Sequence, residues 1–186
     1  KLIPLPKKDI TMLVPFSSAE KACEAVSAVF RSGITPSALE FIERDAIDWT
    51  LRYIDFDLQI PDKVQAHLLV EVDGDDIDLL YKDCEQITEV MEQFDCGDIL
   101  LADSERQKEQ LWKLRRSISE AVKSNSVYKE EDTVVPRAEL AKLLKGVKNT
   151  GNKYGFKSVC YGHAGDGNLH VNIIQGSMSD EDWNTK

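Results

Sequence analysis

The sequence predicts an α+β fold, a sandwich in which an antiparallel sheet carries helices on one face. Three observations predict it. A strand–helix–strand succession occurs twice before residue 103. Leu80, Cys84, Ile87, Met91 and Phe94 recur at steps of 4, 3, 4 and 3, the spacing of a helix with one apolar stripe. The run from Ala66 to Val72 is apolar enough for a central strand.

Residues 1–9, with Pro4, Pro6 and three lysines, read as a linker, and Ile10 to Phe16 as the first strand. Ser17 with Glu20 three residues on resembles a capping box. The helix it opens gathers Ala22, Ala25, Val26, Val29 and Phe30 on one face and ends at Gly33. A second strand covers about Ser37 to Ile42, and Asp45 is placed to cap a short helix carrying Ile47, Leu51 and Ile54. Pro61 and Asp62 mark a loop before the strand at Ala66, where His67 reads as structural. Asp75 or Asp76 caps the next helix, Gly97 closes it, and Asp98 to Ala102 follows as a strand. The acidic run Asp73-Gly74-Asp75-Asp76 lacks the spaced ligands of a calcium loop and is read as that cap.

Between about 104 and 124 a helix buries Leu111, Leu114, Ile118, Ala121 and Val122. At about 100° per residue, Arg116 lies roughly 170° from that stripe, placed for a surface ion pair with Glu120. Arg115 lies roughly 70° from it, at the boundary, on the side of Trp112 and Ser119. Two readings of Arg115 are open from position. A guanidinium there can grip a carboxylate through two nitrogens, or form a structural ion pair.

Two of the three histidines fall in Tyr161-Gly162-His163-Ala164-Gly165-Asp166-Gly167-Asn168-Leu169-His170. Asp166-Gly167 reads as a two-residue hairpin turn. Centred there, the turn sets His163 opposite His170 on one face. Two imidazoles so placed can share a metal ion, and zinc suits them. Surface or hydrogen-bonded histidines are the other reading. The formal net charge of −10 argues against a surface that tracks nucleic-acid phosphates. No apolar run approaches the roughly 20 residues of a membrane span. The four cysteines form no CxxC pair, which fits a reducing, cytoplasmic setting.

Gly162 to His170 resembles, at all nine positions, the signature of the C-terminal domain of FAD-linked oxidases, the flavoproteins that oxidise D-lactate, glycolate and D-2-hydroxyglutarate. Pro36 to Phe41, Leu68 to Gly74, Trp112 to Ser119, and Tyr128-Lys129 with Asp132 to Pro136 resemble further segments of that family in the same order. The resemblance implies a duplicated ferredoxin-like arrangement. It implies substrate-carboxylate contacts from Arg115, Ser119 and Lys129, with Asn168 near substrate and metal. His163 and His170 become metal ligands, with zinc the expected ion. Around Lys129 the chain departs from the family pattern: Lys129-Glu130-Glu131-Asp132 is one residue longer and more acidic.

On this reading residues 10–186 form the substrate-side cap of a larger flavoenzyme, truncated at its C-terminal end. FAD is held by a missing N-terminal domain, joined through residues 1–9. A third metal ligand and a catalytic histidine would come from a family motif beyond Lys186, so the piece alone is expected to be inactive. The implied partners are a small 2-hydroxy acid and the FAD-binding domain. There is room for an electron-acceptor protein, a second copy of the chain, and peripheral attachment of a parent complex to a membrane. The alternative reading is a non-catalytic small-molecule-binding or interaction module of ferredoxin-like fold. A metal-dependent hydrolase using the two histidines would need a third ligand within the chain.

Overall fold

The computed structural model describes residues 4–185. Nine residues, Lys8–Phe16, form β1; the helix Ala19–Arg31 is α1, and Ala38–Glu43 is β2. Next come α2 (Arg44–Tyr53), β3 (Ala66–Gly74), α3 (Ile77–Glu92) and the two-residue β4 (Leu100–Leu101). A long helix, α4 (Glu105–Asn125), leads to β5 (Tyr128–Val134), α5 (Leu140–Tyr154), β6 (Lys157–Gly162), β7 (Asn168–Ile174) and a last short turn of helix, α6 (Asp180–Thr185). The seven strands make one sheet in the order β4-β1-β3-β2-β6-β7-β5. Every pairing in it is antiparallel.

The α+β class and the antiparallel sheet agree with the sequence, but the helices cover both faces rather than one. Alternation of side chains along each strand divides the core in two. Met12, Val14, Phe41, Leu68, Val70 and Val171 pack against α1, α3 and α5. Leu13, Ile42, Leu69, Val159 and Tyr161 pack against α2 and α4. Strands buried on both sides read as nearly continuous apolar runs, as Ala66–Val72 does.

The duplication is visible in strand order. β1–α1–β2–β3 is laid out as β1-β3-β2, and β5–α5–β6–β7 as β5-β7-β6. The repeats meet where β2 pairs with β6, Phe41 opposite Gly162 and Ile42 opposite Tyr161. In the first repeat α3 lies beside α1 over β1 and β3. The matching surface of the second repeat, beside α5 over β5 and β7, is an open groove of about 570 Å³ lined by Leu143, Val147, Phe156, Val171 and Ile173.

Several boundaries differ from the sequence reading. Lys8 and Asp9, placed in the linker, pair with Gly74 and Asp73 in the sheet; Lys1 to Ile3 lie outside the described residues. The cap of α1 is Ser18, whose hydroxyl accepts from the Lys21 amide, not Ser17. α2 begins at Arg44 without a side-chain cap, so Asp45 is already helical. Asp76 caps α3. That helix ends at Glu92, where Asp95 takes the left-handed turn expected of a glycine. Helix α5 was not anticipated. Among the described residues no helix is long and apolar enough to cross a membrane.

His67 is buried in β3, and its Nδ1 has no hydrogen-bond partner. Burial, helped by the Arg44 charge, pushes its pKa down to about 4 from 6.5. The unfolded chain therefore binds the proton first, and stability falls as pH drops from about 6.5 towards 4. The loss should approach about 3 kcal/mol in urea unfolding followed across that range. His67→Leu should abolish this part of the pH dependence, and an unchanged profile in that variant would assign it elsewhere.

Candidate functional site

Helix α4 crosses the sheet and sets three side chains, one turn apart, on three strands. Trp112 Nε1 donates to Glu71 Oε2 of β3 at 2.7 Å. Arg115 meets Glu40 of β2 through Nε at 2.8 Å and Nη2 at 2.7 Å. Ser119 faces the side chain of Tyr161 on β6. Positions i, i+3 and i+7 share a helix edge. This polar edge therefore runs beside the buried stripe and docks on the sheet. Arg116 stays exposed, and Glu120 pairs with Lys123 at 2.9 Å in place of Arg116.

Glu40 is the most connected of these groups. Its side chain is only 8 % exposed. Oε2 takes Arg115, and Oε1 lies 2.8 Å from His163 Nδ1. The Arg115 guanidinium also sits 5.4 Å from the centre of the Tyr161 ring. Burial pushes the Tyr161 phenol up. The nearby polar groups of Ser119 and Asn172 and the charge of Arg115 oppose that rise.

The hairpin that carries the histidines is wider than a two-residue turn. β6 and β7 pair Tyr161 with His170 and Cys160 with Val171. A short 3-10 turn, Ala164–Asp166, fills the connection, and Gly167 takes a left-handed φ of 76°. Gly162 must be glycine for space: a Cβ there would lie 2.6 Å from Asn168 O. His163 is therefore not directly opposite His170, but it stays on the same face, and the two rings are 5.9 Å apart at 73°.

Each histidine turns Nδ1 towards a carboxylate. His163 Nδ1 is held by Glu40, and His170 Nδ1 lies 3.1 Å from Glu130 Oε1 and 3.7 Å from Asp132 Oδ1. Neither Nε2 has a hydrogen bond among the described residues. At His163 this is the arrangement that metal-ligating imidazoles show, one nitrogen held by a carboxylate and the other free, while His170 only faces its carboxylates. The donor set thus suits a divalent ion on two sides. Among the described residues no group of three His, Cys, Asp or Glu could complete its coordination.

Asn168 joins this face: Nδ2 donates to Asp132 at 2.6 Å, and its Oδ1 is buried without a partner. Lys129 does not. It pairs with Ile173, so it points to the other face of the sheet, where it lies 3.5 Å from Glu131. Slipping a strand by one residue moves each side chain to the opposite face. The observed register puts Glu130 and Asp132, not Lys129, beside His170.

The family model described as FAD linked oxidases, C-terminal domain, matches residues 5–186. The chain belongs to the FAD-linked oxidase C-terminal domain family. A D-lactate dehydrogenase of Anaerostipes hadrus is 30% identical over 188 residues, 98% of this chain and 40% of that protein. The glycolate oxidase subunit GlcD of Bacillus subtilis is 31% identical over 91% of the chain and 36% of its own length. A probable mitochondrial D-2-hydroxyglutarate dehydrogenase of Oryza sativa is 31% identical over 78% of the chain and 26% of its own length. The chain thus spans two-fifths or less of these curated relatives. The structure of p-cresol methylhydroxylase superposes with a TM-score of 0.65 at 13% identity, over 98% of this chain and 42% of that one, a likeness of fold alone.

Within this FAD-linked oxidase domain the sequence reading missed Glu40, Tyr161, Asn172 and Glu130. Asn172 is buried with Oδ1 unpartnered and lies two residues beyond His170 on the same face. Period two from His170 could have found it. Glu40 had a signal as well, a carboxylate inside the apolar run Ala38-Leu39-Glu40-Phe41-Ile42.

Removing Arg115 leaves the Glu40 charge buried and unmatched. Arg115→Met should cost about 3–5 kcal/mol in urea unfolding, whereas Lys129→Ala, at the surface, should stay within about 0.5 kcal/mol. Equal effects would contradict this placement.

Proposed function

We propose that this chain is the substrate- and metal-binding cap of a flavoenzyme that oxidises a D-2-hydroxy acid of the lactate, glycolate or 2-hydroxyglutarate type. One observation carries the reading. Glu40 joins Arg115 and His163, so a group suited to a carboxylate and a group suited to a metal belong to one hydrogen-bonded set. A 2-hydroxy acid presents a carboxylate beside a hydroxyl. Family membership and the names of the relatives support the same class.

In this reading Arg115 keeps one edge on Glu40 and offers Nη1, which makes no hydrogen bond among the described residues, to the substrate carboxylate. Ser119 and Tyr161 extend that contact, and the unpartnered oxygens of Asn168 and Asn172 face the same region as acceptors. The free Nε2 atoms of His163 and His170 would hold a divalent ion, zinc by ligand preference, together with a ligand from outside the described residues. Such an ion would polarise the substrate hydroxyl and ease loss of its proton. FAD would serve as hydride acceptor, bound by a separate domain against which this one packs; this chain alone would be inactive.

The test is anaerobic addition of D-lactate, glycolate and D-2-hydroxyglutarate to the full-length protein that carries this chain. One acid should bleach the flavin absorbance. Alanine at His163 or His170 should slow bleaching at least about a hundredfold, within the several kcal/mol a Lewis acid supplies. A flavin that stays oxidised with all three acids would overturn the substrate class. Full activity in both variants would overturn the metal role.

A further inference from the structure

We infer that Glu40 is a positioning residue: it fixes the His163 imidazole in the tautomer with its proton on Nδ1, leaving the Nε2 lone pair bare, and holds Arg115 by one edge only. The inference rests on the metal-binding reading above for its purpose, but not for its test.

The argument starts from donor and acceptor chemistry. A carboxylate offers acceptor oxygens and no proton, and a guanidinium offers donors only. Oε2 of Glu40 accepts from Arg115 Nε at 2.8 Å, with Nη2 2.7 Å away in the same ion pair but not aligned for a hydrogen bond. Oε1 is left for His163 Nδ1 at 2.8 Å. Because Glu40 can only accept, Nδ1 must donate. A neutral imidazole carries one N–H, so Nε2 is then the unprotonated nitrogen.

Burial makes the arrangement stiff. Glu40 sits on a strand in the middle of the sheet, opposite Leu69, with its side chain 8 % exposed. His163 itself is 54 % exposed and lies on a loop, so its backbone alone would leave the ring free to choose either tautomer. An ion pair with Arg115 alone would use one carboxylate; it does not require the second oxygen to engage an imidazole. A buried ion pair is also weak as a source of stability, since well-packed apolar residues often do as well. His170 gives the contrast. Its Nδ1 is 3.1 Å from Glu130 Oε1 but is not aligned for a hydrogen bond. Glu130 is also a more exposed partner than Glu40.

The experiment reads the tautomer directly, without metal or substrate. The chain is labelled with ¹⁵N at histidine and long-range proton–nitrogen correlations are recorded at pH 8.5, with His163→Gln to assign the signals. In the native chain His163 should show a protonated Nδ1 and a bare Nε2. Glu40→Gln should shift the proton to Nε2 or mix the two forms, because its amide can turn an N–H towards Nδ1. Glu130→Gln should leave His163 unchanged. In parallel, Zn²⁺ is titrated calorimetrically into the full-length protein that carries this chain, and Glu40→Gln there should weaken its binding about tenfold to a hundredfold, the usual effect of losing a carboxylate behind a ligand histidine.

A native His163 with its proton on Nε2 would overturn the inference, even if the glutamine variant failed to fold. So would a glutamine variant that folds and keeps the native tautomer. If the tautomer switches as expected while Zn²⁺ binds the native full-length protein no better than its His163→Ala variant, the positioning role stands and the metal reading fails.

Discussion

The buried carboxylate of Glu40 ties three separate parts of the chain together. It stands on β2 in the first repeat, accepts from Arg115 on the connecting helix α4, and reaches His163 in the hairpin of the second repeat. Among the described residues the repeats pair directly at two positions, Phe41 with Gly162 and Ile42 with Tyr161. A seam that short leaves side chains to fix the relative placement of the repeats. A charged pair in low-dielectric surroundings does so strictly, since breaking it strands a charge.

On the opposite face Glu43 makes a matching bridge. It takes Lys148 of α5 at 2.6 Å and the Cys160 amide at 2.8 Å. Burial pushes the Glu43 carboxyl up, and the Lys148 charge and hydrogen bond pull against it. Two glutamates three residues apart on one strand therefore clamp the junction from both sides of the sheet, because side chains alternate along a strand. Only the Glu40 side opens onto His163 and His170.

The site itself is a meeting of rigid parts. α4 contributes a polar edge whose spacing spans β3, β2 and β6. The hairpin contributes His163 and His170 through a connection that needs the narrow backbone of Gly162 and the left-handed turn at Gly167. β5 contributes carboxylates. Its register against β7 places Glu130 opposite Asn172 and Asp132 opposite His170. The acidic character of this rim, unlike a lysine, favours cations near the free imidazole nitrogens.

The sequence by itself determined the local features. The steps of Leu80, Cys84, Ile87 and Met91 made α3 legible, and the stripe of α4 separated Arg115 from Arg116, because helical spacing is set by the backbone. The family signature at Gly162–His170 was legible as a string, and so was the duplication it implies. What the sequence did not determine is every quantity that depends on partners distant along the chain. The unbroken apolar run Ala66–Val72 is consistent with cover on both faces, but which helix lies on which face follows from the side each connection crosses, which residue spacing does not encode. Leu140, Leu144, Val147 and Gly151 carry a helical repeat that the sequence does show. The face taken by Lys129 turned on a single residue of strand register. The union of Glu40, Arg115 and His163 joins positions 75 and 123 residues apart from Glu40. Only the tertiary structure could make it, because a buried charge selects its partners by proximity and by the absence of water, not by order in the chain.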